Sequence, residues 1–250
     1  MGLIDPKPLW DFEDPAASES RFLAAAEDAS EPAASAWMTQ VGRTMGLRGE
    51  FSSAHALLDS LAGSESALAG WAAAEGAAEV AVRIDLERGR LFNSAGEPGR
   101  ALPLFEAAAT RAERAGLDEL RVDALHMAAI AAPAEERLAR NEAALAVARA
   151  SRDAAARNWD ASLLNNIGMV HADAGDFATA LPVFEEALAA RERIGDPART
   201  RVAKWMVAWT LRNLGRADEA LAIQRALKAE LTAAGASDPY VDEELATLEG

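Results

Sequence analysis

The sequence predicts an all-α fold of about five stacked helix hairpins, and three features indicate it. Alanine, the strongest helix former, makes up about a quarter of the 250 residues. The residue types that favour strands are sparse, with 6% aromatic residues and a single tyrosine. A motif with glycine at a fixed place recurs four times along the chain, which is typical of repeat architectures.

Each copy of the motif begins with a small residue, and a turn glycine follows seven positions later. An alanine comes five positions after that glycine, and a fourth motif residue, Leu, Phe or Gln, follows after four more. The small residues are Gly42, Gly89, Gly168 and Ala208, the turn glycines Gly49, Gly96, Gly175 and Gly215, the alanines Ala54, Ala101, Ala180 and Ala220, and the last positions Leu58, Phe105, Phe184 and Gln224. We interpret each copy as a helix A, a left-handed glycine cap and a helix B that crosses helix A at its alanine.

This pattern resembles the tetratricopeptide repeat, and the resemblance covers residues 32–250. It implies a right-handed α-solenoid. The turn glycines lie 47, 79 and 40 residues apart, so the wide middle gap predicts a degenerate unit. The predicted repeats are 32–75, 76–116, 117–157, 158–197 and 198–237. Residues 63–76 are equally compatible with an additional helical turn and with a loop. As a whole the chain is similar to stand-alone bacterial tetratricopeptide-repeat proteins of unassigned function.

Both ends of the chain carry the pattern of a capping helix. Asp14-Pro15 and Asp238-Pro239 each place an aspartate N-cap before a proline at the first helical position. We predict an N-terminal segment with a capping helix over 1–31, and a C-terminal capping helix or incomplete repeat over 238–250. In the C-terminal helix Val241, Leu245 and Leu248 form the apolar stripe, and Asp242, Glu243, Glu244 and Glu249 are expected to face water.

Charge and composition exclude several classes of protein. The formal net charge of −15 disfavours binding to a nucleic-acid backbone, which requires clustered lysine and arginine. The absence of cysteine excludes disulfides, thiolate metal sites and a cysteine nucleophile. No apolar run is long enough to span a bilayer, and the first residues lack the features of a signal peptide. We expect a cytoplasmic protein with no nucleic-acid partner, no membrane partner, no metal and no cofactor.

The resemblance also implies which side chains line a concave groove. In tetratricopeptide repeats these positions lie three before the small residue, one after it, and four to five after it. Carried onto this chain they are Arg43, Arg90, Asn93, His126, Asn165, Met169, Asp173, Trp205, Trp209 and Arg212, with Thr39, Leu86, Ile130 and Asn213 at equivalent places.

Two subsets of these residues suggest what the groove binds. Trp205, Trp209 and Arg212 follow one helical face, and tryptophan with arginine is typical of binding hot spots. Arg43 and Arg90 in an acidic chain favour a carboxylate or a phosphate. The alternatives are that one tryptophan packs between helices and that each arginine pairs with a nearby glutamate.

We predict a binding or scaffold module whose partner is a protein or peptide, with an acidic or carboxylate group in it, or a small anionic ligand. An enzyme is the first alternative, with His126 as its catalytic candidate. Catalysis is disfavoured because the sequence carries none of the common nucleotide-binding, hydrolase or metalloprotease motifs. Self-association, with a homodimer formed through the ends of the chain, is the second alternative.

Overall fold

The computed structural model describes residues 2–68 and 76–250, with the backbone alone for residues 64–68. In these ranges the regular secondary structure consists of α-helices and one 3₁₀ helix, with no strand. The predicted all-α class is therefore confirmed. The α-helices are α1 (Pro15–Glu27), α2 (Ala33–Leu47), α3 (Phe51–Leu68), α4 (Ala77–Ser94), α5 (Pro98–Ala115), α6 (Asp118–Ala131), α7 (Ala134–Ala150), α8 (Ala154–Arg157), α9 (Asp160–Asp173), α10 (Phe177–Ile194), α11 (Pro197–Asn213), α12 (Ala217–Ala233) and α13 (Pro239–Glu249). A short 3₁₀ helix, Lys7–Leu9, precedes α1. Within the described ranges, no helix has the length and apolar character that a bilayer crossing requires.

The chain forms two compact units, residues 1–140 (unit 1) and residues 141–250 (unit 2), and the boundary falls inside α7. In unit 1, α2 packs against α1, α3 and α4, and α5 packs against α4 and α6. In unit 2, α10 packs against α9 and α11, and α12 packs against α11 and α13. Within the described ranges, each unit is therefore a succession of helices that pack on their neighbours along the chain, as stacked hairpins require. The extra length of α3 adds helical turns before residue 68; residues 69–75 lie outside the described part of the chain.

The small residue of helix A and the phenylalanine of helix B pack directly on each other. A Cβ atom placed on Gly89 would lie 2.5–2.8 Å from three ring carbons of Phe105, and one on Gly168 would lie 2.6–2.9 Å from the ring of Phe184. Both phenylalanines are almost completely buried. The motif alanines Ala54, Ala101, Ala180 and Ala220 are fully buried as well. These contacts bring the two helices of a hairpin together, because any side chain at Gly89 or Gly168 would force them apart.

The turn glycines end helix A in the predicted left-handed conformation. Gly49, Gly96, Gly175 and Gly215 have φ angles of 78°, 79°, 75° and 76°. In each turn the N–H after the glycine donates to the carbonyl oxygen five residues earlier, for example from Asp176 to His171 at 2.9 Å. This is the hydrogen-bond pattern of a Schellman cap, and it satisfies carbonyl groups that the end of the helix leaves open.

Both aspartate caps are present, but one expectation for the C-terminal helix is wrong. The N–H of Ala17 donates to Asp14 at 2.9 Å, and the N–H of Tyr240 donates to Asp238 at 3.0 Å. Glu244, which was expected to face water, is 7% exposed. It lies one turn after Val241 on the side of α13 that packs towards α11, where an arginine pairs with it.

Candidate functional site

In unit 1, α2 and α4 border a cavity of about 190 Å³. Its lining includes three of the predicted groove residues. The lining residues are Arg43, Gly46, Leu47, Glu87, Arg90, Leu91, Asn93, Ser94 and Met127. The predicted positions Thr39 and Leu86 are instead buried, with 0% and 1% of their surface exposed. The cavity therefore combines apolar walls with two guanidinium groups and one carboxylate.

Arg90 is already neutralised by carboxylates of its own chain. Its guanidinium donates to Glu87 at 2.6 Å and to both oxygens of Asp123 at 2.6 Å. Burial would lower the pKa of Arg90, but Asp123 and Glu87 raise it above the usual guanidinium value. Burial would raise the pKa of Asp123, but Arg90 outweighs this and holds it below its usual range. For Arg90, the alternative that the arginine pairs within the protein is correct.

Arg43 has a different environment from Arg90. Its guanidinium carbon lies 5.2 Å from the ring centroid of Trp10 and 5.6 Å from that of Phe12. Within the described ranges it forms no salt bridge, so these cation–π contacts are its partners. Burial lowers the pKa of Arg43 and the like charge of Arg90 lowers it further, although Glu87 and Asp123 act in the opposite direction. Arg43 is thus the cavity cation whose hydrogen-bond donors remain available.

His126 and Ile130 lie on α6 of the same unit. His126 follows Asp123 by three positions on α6, so the two side chains share one face of that helix. His126 is not among the residues that line the 190 Å³ cavity, and the cavity is therefore not centred on it. Ile130 is 39% exposed. Across residues 2–68 and 76–250, no cluster of three or more histidine or carboxylate side chains has an arrangement suited to a metal ion.

In unit 2, four aromatic side chains meet along α11; we call Phe177, Trp205, Trp209 and Tyr240 the aromatic face. The indole rings of Trp205 and Trp209 are nearly parallel, with centroids 6.2 Å apart. Phe177 meets Trp209 edge to face at 5.3 Å, and Tyr240 meets Trp205 in the same way at 6.2 Å. Both tryptophans are half-buried and Tyr240 is 66% exposed. The aromatic face therefore presents ring surface to solvent while its base packs on the core of unit 2.

The other predicted residues of unit 2 are spread around this face. Arg212 donates to both oxygens of Glu244, at 2.8 and 2.9 Å, so its charge is compensated. Asn165 is half-buried, and its side-chain amide forms no hydrogen bond to other described residues. Met169 packs against the core that Trp205 and Trp209 also contact. Asp173 is exposed. Asn213, also exposed, donates to the backbone carbonyl of Trp209 at 2.8 Å.

Sequence reasoning missed four residues that complete these sites. In unit 1, Trp10 and Phe12 cover Arg43, and they come from a segment without a helical period. In unit 2, Tyr240 and Glu244 come from α13. A signal for Glu244 was present, because it follows Val241 by three positions and therefore shares its helical face. No comparable signal marks Trp10.

Comparisons with known proteins agree with the helix-hairpin fold. The family model of the tetratricopeptide repeat matches residues 159–227. No curated protein sequence matches the chain. Among solved structures, BtubC (BKLC) from P. vanneervenii is similar with a TM-score of 0.68 and 19% identity, over 92% of this chain and 94% of that one. The apo form of the quorum sensor NprR from B. thuringiensis has a TM-score of 0.63 and 13% identity, over 94% of this chain and 64% of that one.

A further similar structure is NprR in complex with its cognate peptide NprX, with a TM-score of 0.55 and 14% identity, over 94% of this chain and 66% of that one. At these identities the likeness is one of fold. The family model thus identifies tetratricopeptide repeats at residues 159–227, and the similar structures show that the chain shares their fold.

Proposed function

We propose that the chain is a protein-interaction module that binds a peptide segment of a partner protein on the aromatic face of unit 2. The observation that carries this proposal is the pair of stacked, half-buried tryptophans with the exposed Tyr240 beside them. Aromatic side chains held in place by their neighbours offer a large contact area at a small loss of conformational entropy. The complex of NprR with the peptide NprX supports the choice of a peptide, since that protein has the same fold.

The charges around the aromatic face favour a partner recognised by its apolar side chains. Arg212 is engaged by Glu244 through two hydrogen bonds, so it has little capacity left for a carboxylate of the partner. The amide of Asn165 has no hydrogen-bond partner among the described residues, so it can donate to a main-chain carbonyl and accept from a main-chain N–H. We therefore expect burial of ring surface to supply most of the affinity, and the amide to align the backbone of the peptide.

A ligand that carries an acidic group is best accommodated separately from the aromatic face, at Arg43 in unit 1. The surrounding cluster of Arg43, Arg90, Glu87 and Asp123 is formally neutral, because two guanidinium groups face two carboxylates. Such a cluster favours a carbonyl oxygen or a single carboxylate over a doubly charged phosphate. The proposed setting is the cytoplasm of a bacterium, and the absence of cysteine from the sequence is compatible with a reducing compartment.

Replacing Trp209 by alanine is expected to weaken peptide binding by about 2 kcal/mol or more, roughly 30-fold, because truncating a central tryptophan removes a typical hot spot. Peptides enriched from a random displayed library with the wild-type chain are the probes, and fluorescence anisotropy measures their affinity. Circular dichroism should give the same helical content for the variant as for the wild type.

The matched control is Trp159→Ala, a half-buried tryptophan of unit 2 that does not belong to the aromatic face. This control should change the affinity by no more than a few-fold. The proposal fails if the enriched peptides bind the Trp209→Ala variant as tightly as the wild type, or if no peptide is enriched.

A further inference from the structure

Residues 2–12, which we call the strap, run across the helices of unit 1 before α1 begins. The strap has a single turn of 3₁₀ helix at Lys7–Leu9 and otherwise no regular secondary structure. It contacts α4 through its first residues, α6 through an ion pair between Lys7 and Glu119, and α2 through Trp10. A segment of this kind, lying on the faces of several helices, occupies unit 1 as a bound peptide would.

At its beginning, the strap is bound through its main chain by a buried ion pair. Glu79 and Arg83 lie one turn apart on α4, 2.7 Å from each other, with side chains 3% and 8% exposed. Glu79 accepts the N–H of Leu3 at 2.7 Å, and Arg83 donates to the carbonyl oxygen of Ile4 at 3.3 Å. Because these bonds reach the backbone of the strap, they place no demand on the side chains of whatever segment lies there.

Two side chains of the strap supply its sequence preference. Ile4 is 9% exposed and packs with Val80 and Ile84 in the core of unit 1. Trp10 donates its indole N–H to Gln40 at 3.2 Å and packs edge to face on Phe22, with centroids 4.9 Å apart. The guanidinium carbon of Arg43 lies 5.2 Å from the ring centroid of Trp10.

The strap buries few of its side chains. Ile4 is its one buried residue among residues 2–12; the others are half-buried or exposed. Pro6 and Pro8 limit the conformations of the free strap, so it loses little entropy when it binds. An external segment with prolines at the same two positions would lose equally little entropy, so it would compete well with the strap for unit 1.

We propose that the strap is an intramolecular ligand: the surface of unit 1 formed by Gln40, Arg43, Glu79 and Arg83 recognises a peptide, and residues 2–12 occupy it in the isolated chain. The external occupant is a segment of a partner protein with the chemistry of the strap, namely an apolar residue, a proline-rich spacer and a tryptophan. It binds unit 1 by displacing the strap, and Arg43 then exchanges Trp10 and Phe12 for groups of the partner. This surface belongs to a different unit from the aromatic face and does not depend on it.

The test uses a fluorescein-labelled synthetic peptide of residues 2–12, titrated into the full-length chain. Leu3→Pro removes the N–H that Glu79 accepts, and Ile4→Asp removes the apolar anchor, so each variant should release the strap. Both variants are expected to bind the peptide at least tenfold more tightly than the wild type. A peptide that carries the Ile4→Asp change is the matched control and should not bind.

A form of the chain whose strap is covalently linked to α6 tests the opposite change, because the strap can then no longer leave unit 1. The chain has no cysteine, so Lys7→Cys with Glu119→Cys gives two unique thiols that a reducible bismaleimide linker can join. The linked form should bind the peptide less than the wild type does, and reduction of the linker should restore binding. The Trp209→Ala variant should bind this peptide like the wild type, which separates a failure here from a failure at the aromatic face.

Three results would overturn the proposal. In the first, folded Leu3→Pro and Ile4→Asp variants bind the peptide no more tightly than the wild type. In the second, both variants lose their helical circular dichroism, which would make the strap an integral part of unit 1. In the third, a wild-type dimer carries the strap of one copy next to Glu119 of the other, which would make the contact intermolecular.

Discussion

Replacing Asp123 by alanine is expected to lower the free energy of unfolding by roughly 3–5 kcal/mol, because it leaves buried guanidinium charge without its partner. Arg90 and Asp123 have side chains that are both 12% exposed, and they join α4 to α6. Without Asp123, Glu87 is the one carboxylate of the cluster that remains to compensate Arg43 and Arg90, which repel each other. Urea unfolding at neutral pH, followed by circular dichroism, measures the loss.

The control for this prediction is Asp59→Ala, which removes a carboxylate that pairs with Arg88 but is 70% exposed. Exposed pairs contribute about 0–1 kcal/mol, so this variant should stay close to the wild type. An equal loss in the two variants would contradict the role assigned to the buried cluster.

The same carboxylate gives a pH dependence whose sign follows from its lowered pKa. A carboxylate with a lower pKa in the folded state stabilises the fold fully above its unfolded pKa, about 4, and loses that contribution as the pH falls through its folded pKa. The difference in unfolding free energy between the wild type and Asp123→Asn should therefore shrink on acidification below about pH 4. A difference that grows in this range would contradict the pairing of Asp123 with Arg90.

Replacing Phe184 by alanine is expected to cost about 3–5 kcal/mol of unfolding free energy, since it empties the space between α9 and α10. The ring is 1% exposed and packs on Gly168, where any Cβ would collide with it. With no side chain at Gly168 to fill the gap, the two helices have to move together or leave a cavity. Thermal and urea unfolding, followed by signals from residues of unit 2, measure this loss of free energy.

Val202→Ala is the matched control for Phe184→Ala, because Val202 lies in the same unit and is 57% exposed. This change should stay within about 0.5 kcal/mol of the wild type. If Phe184→Ala is equally mild, the hairpin does not depend on the contact between Gly168 and Phe184.

The hairpins could be predicted from the sequence because their determinants are local. The number of residues from Gly168 to Gly175, and from Gly175 to Ala180 and Phe184, is set by one helix, one turn and the next helix. Each copy repeats the same spacing, so four weak signals support one another. The glycine caps and the packing of phenylalanine on glycine follow from steric limits that act within these few residues.

The electrostatic partners could not be predicted because they come from distant parts of the chain. Arg90 and Asp123 are separated by 33 residues, and Arg212 and Glu244 by 32. Whether such groups meet depends on the crossing geometry of two helices A, which the spacing within a repeat does not determine. The strap was missed for another reason, since a segment with neither helical nor strand periodicity gives no pattern from which to place Trp10.

The most direct measurement for the central claim, that the aromatic face of unit 2 binds a peptide, is the indole N–H spectrum of the intact chain during titration with an enriched peptide. The chain has six tryptophans, and single Trp→Phe variants assign their signals. Binding at this face should make the signals of Trp205 and Trp209 shift together and saturate, while that of Trp37 does not move. Saturable binding that leaves Trp205 and Trp209 unshifted would contradict it.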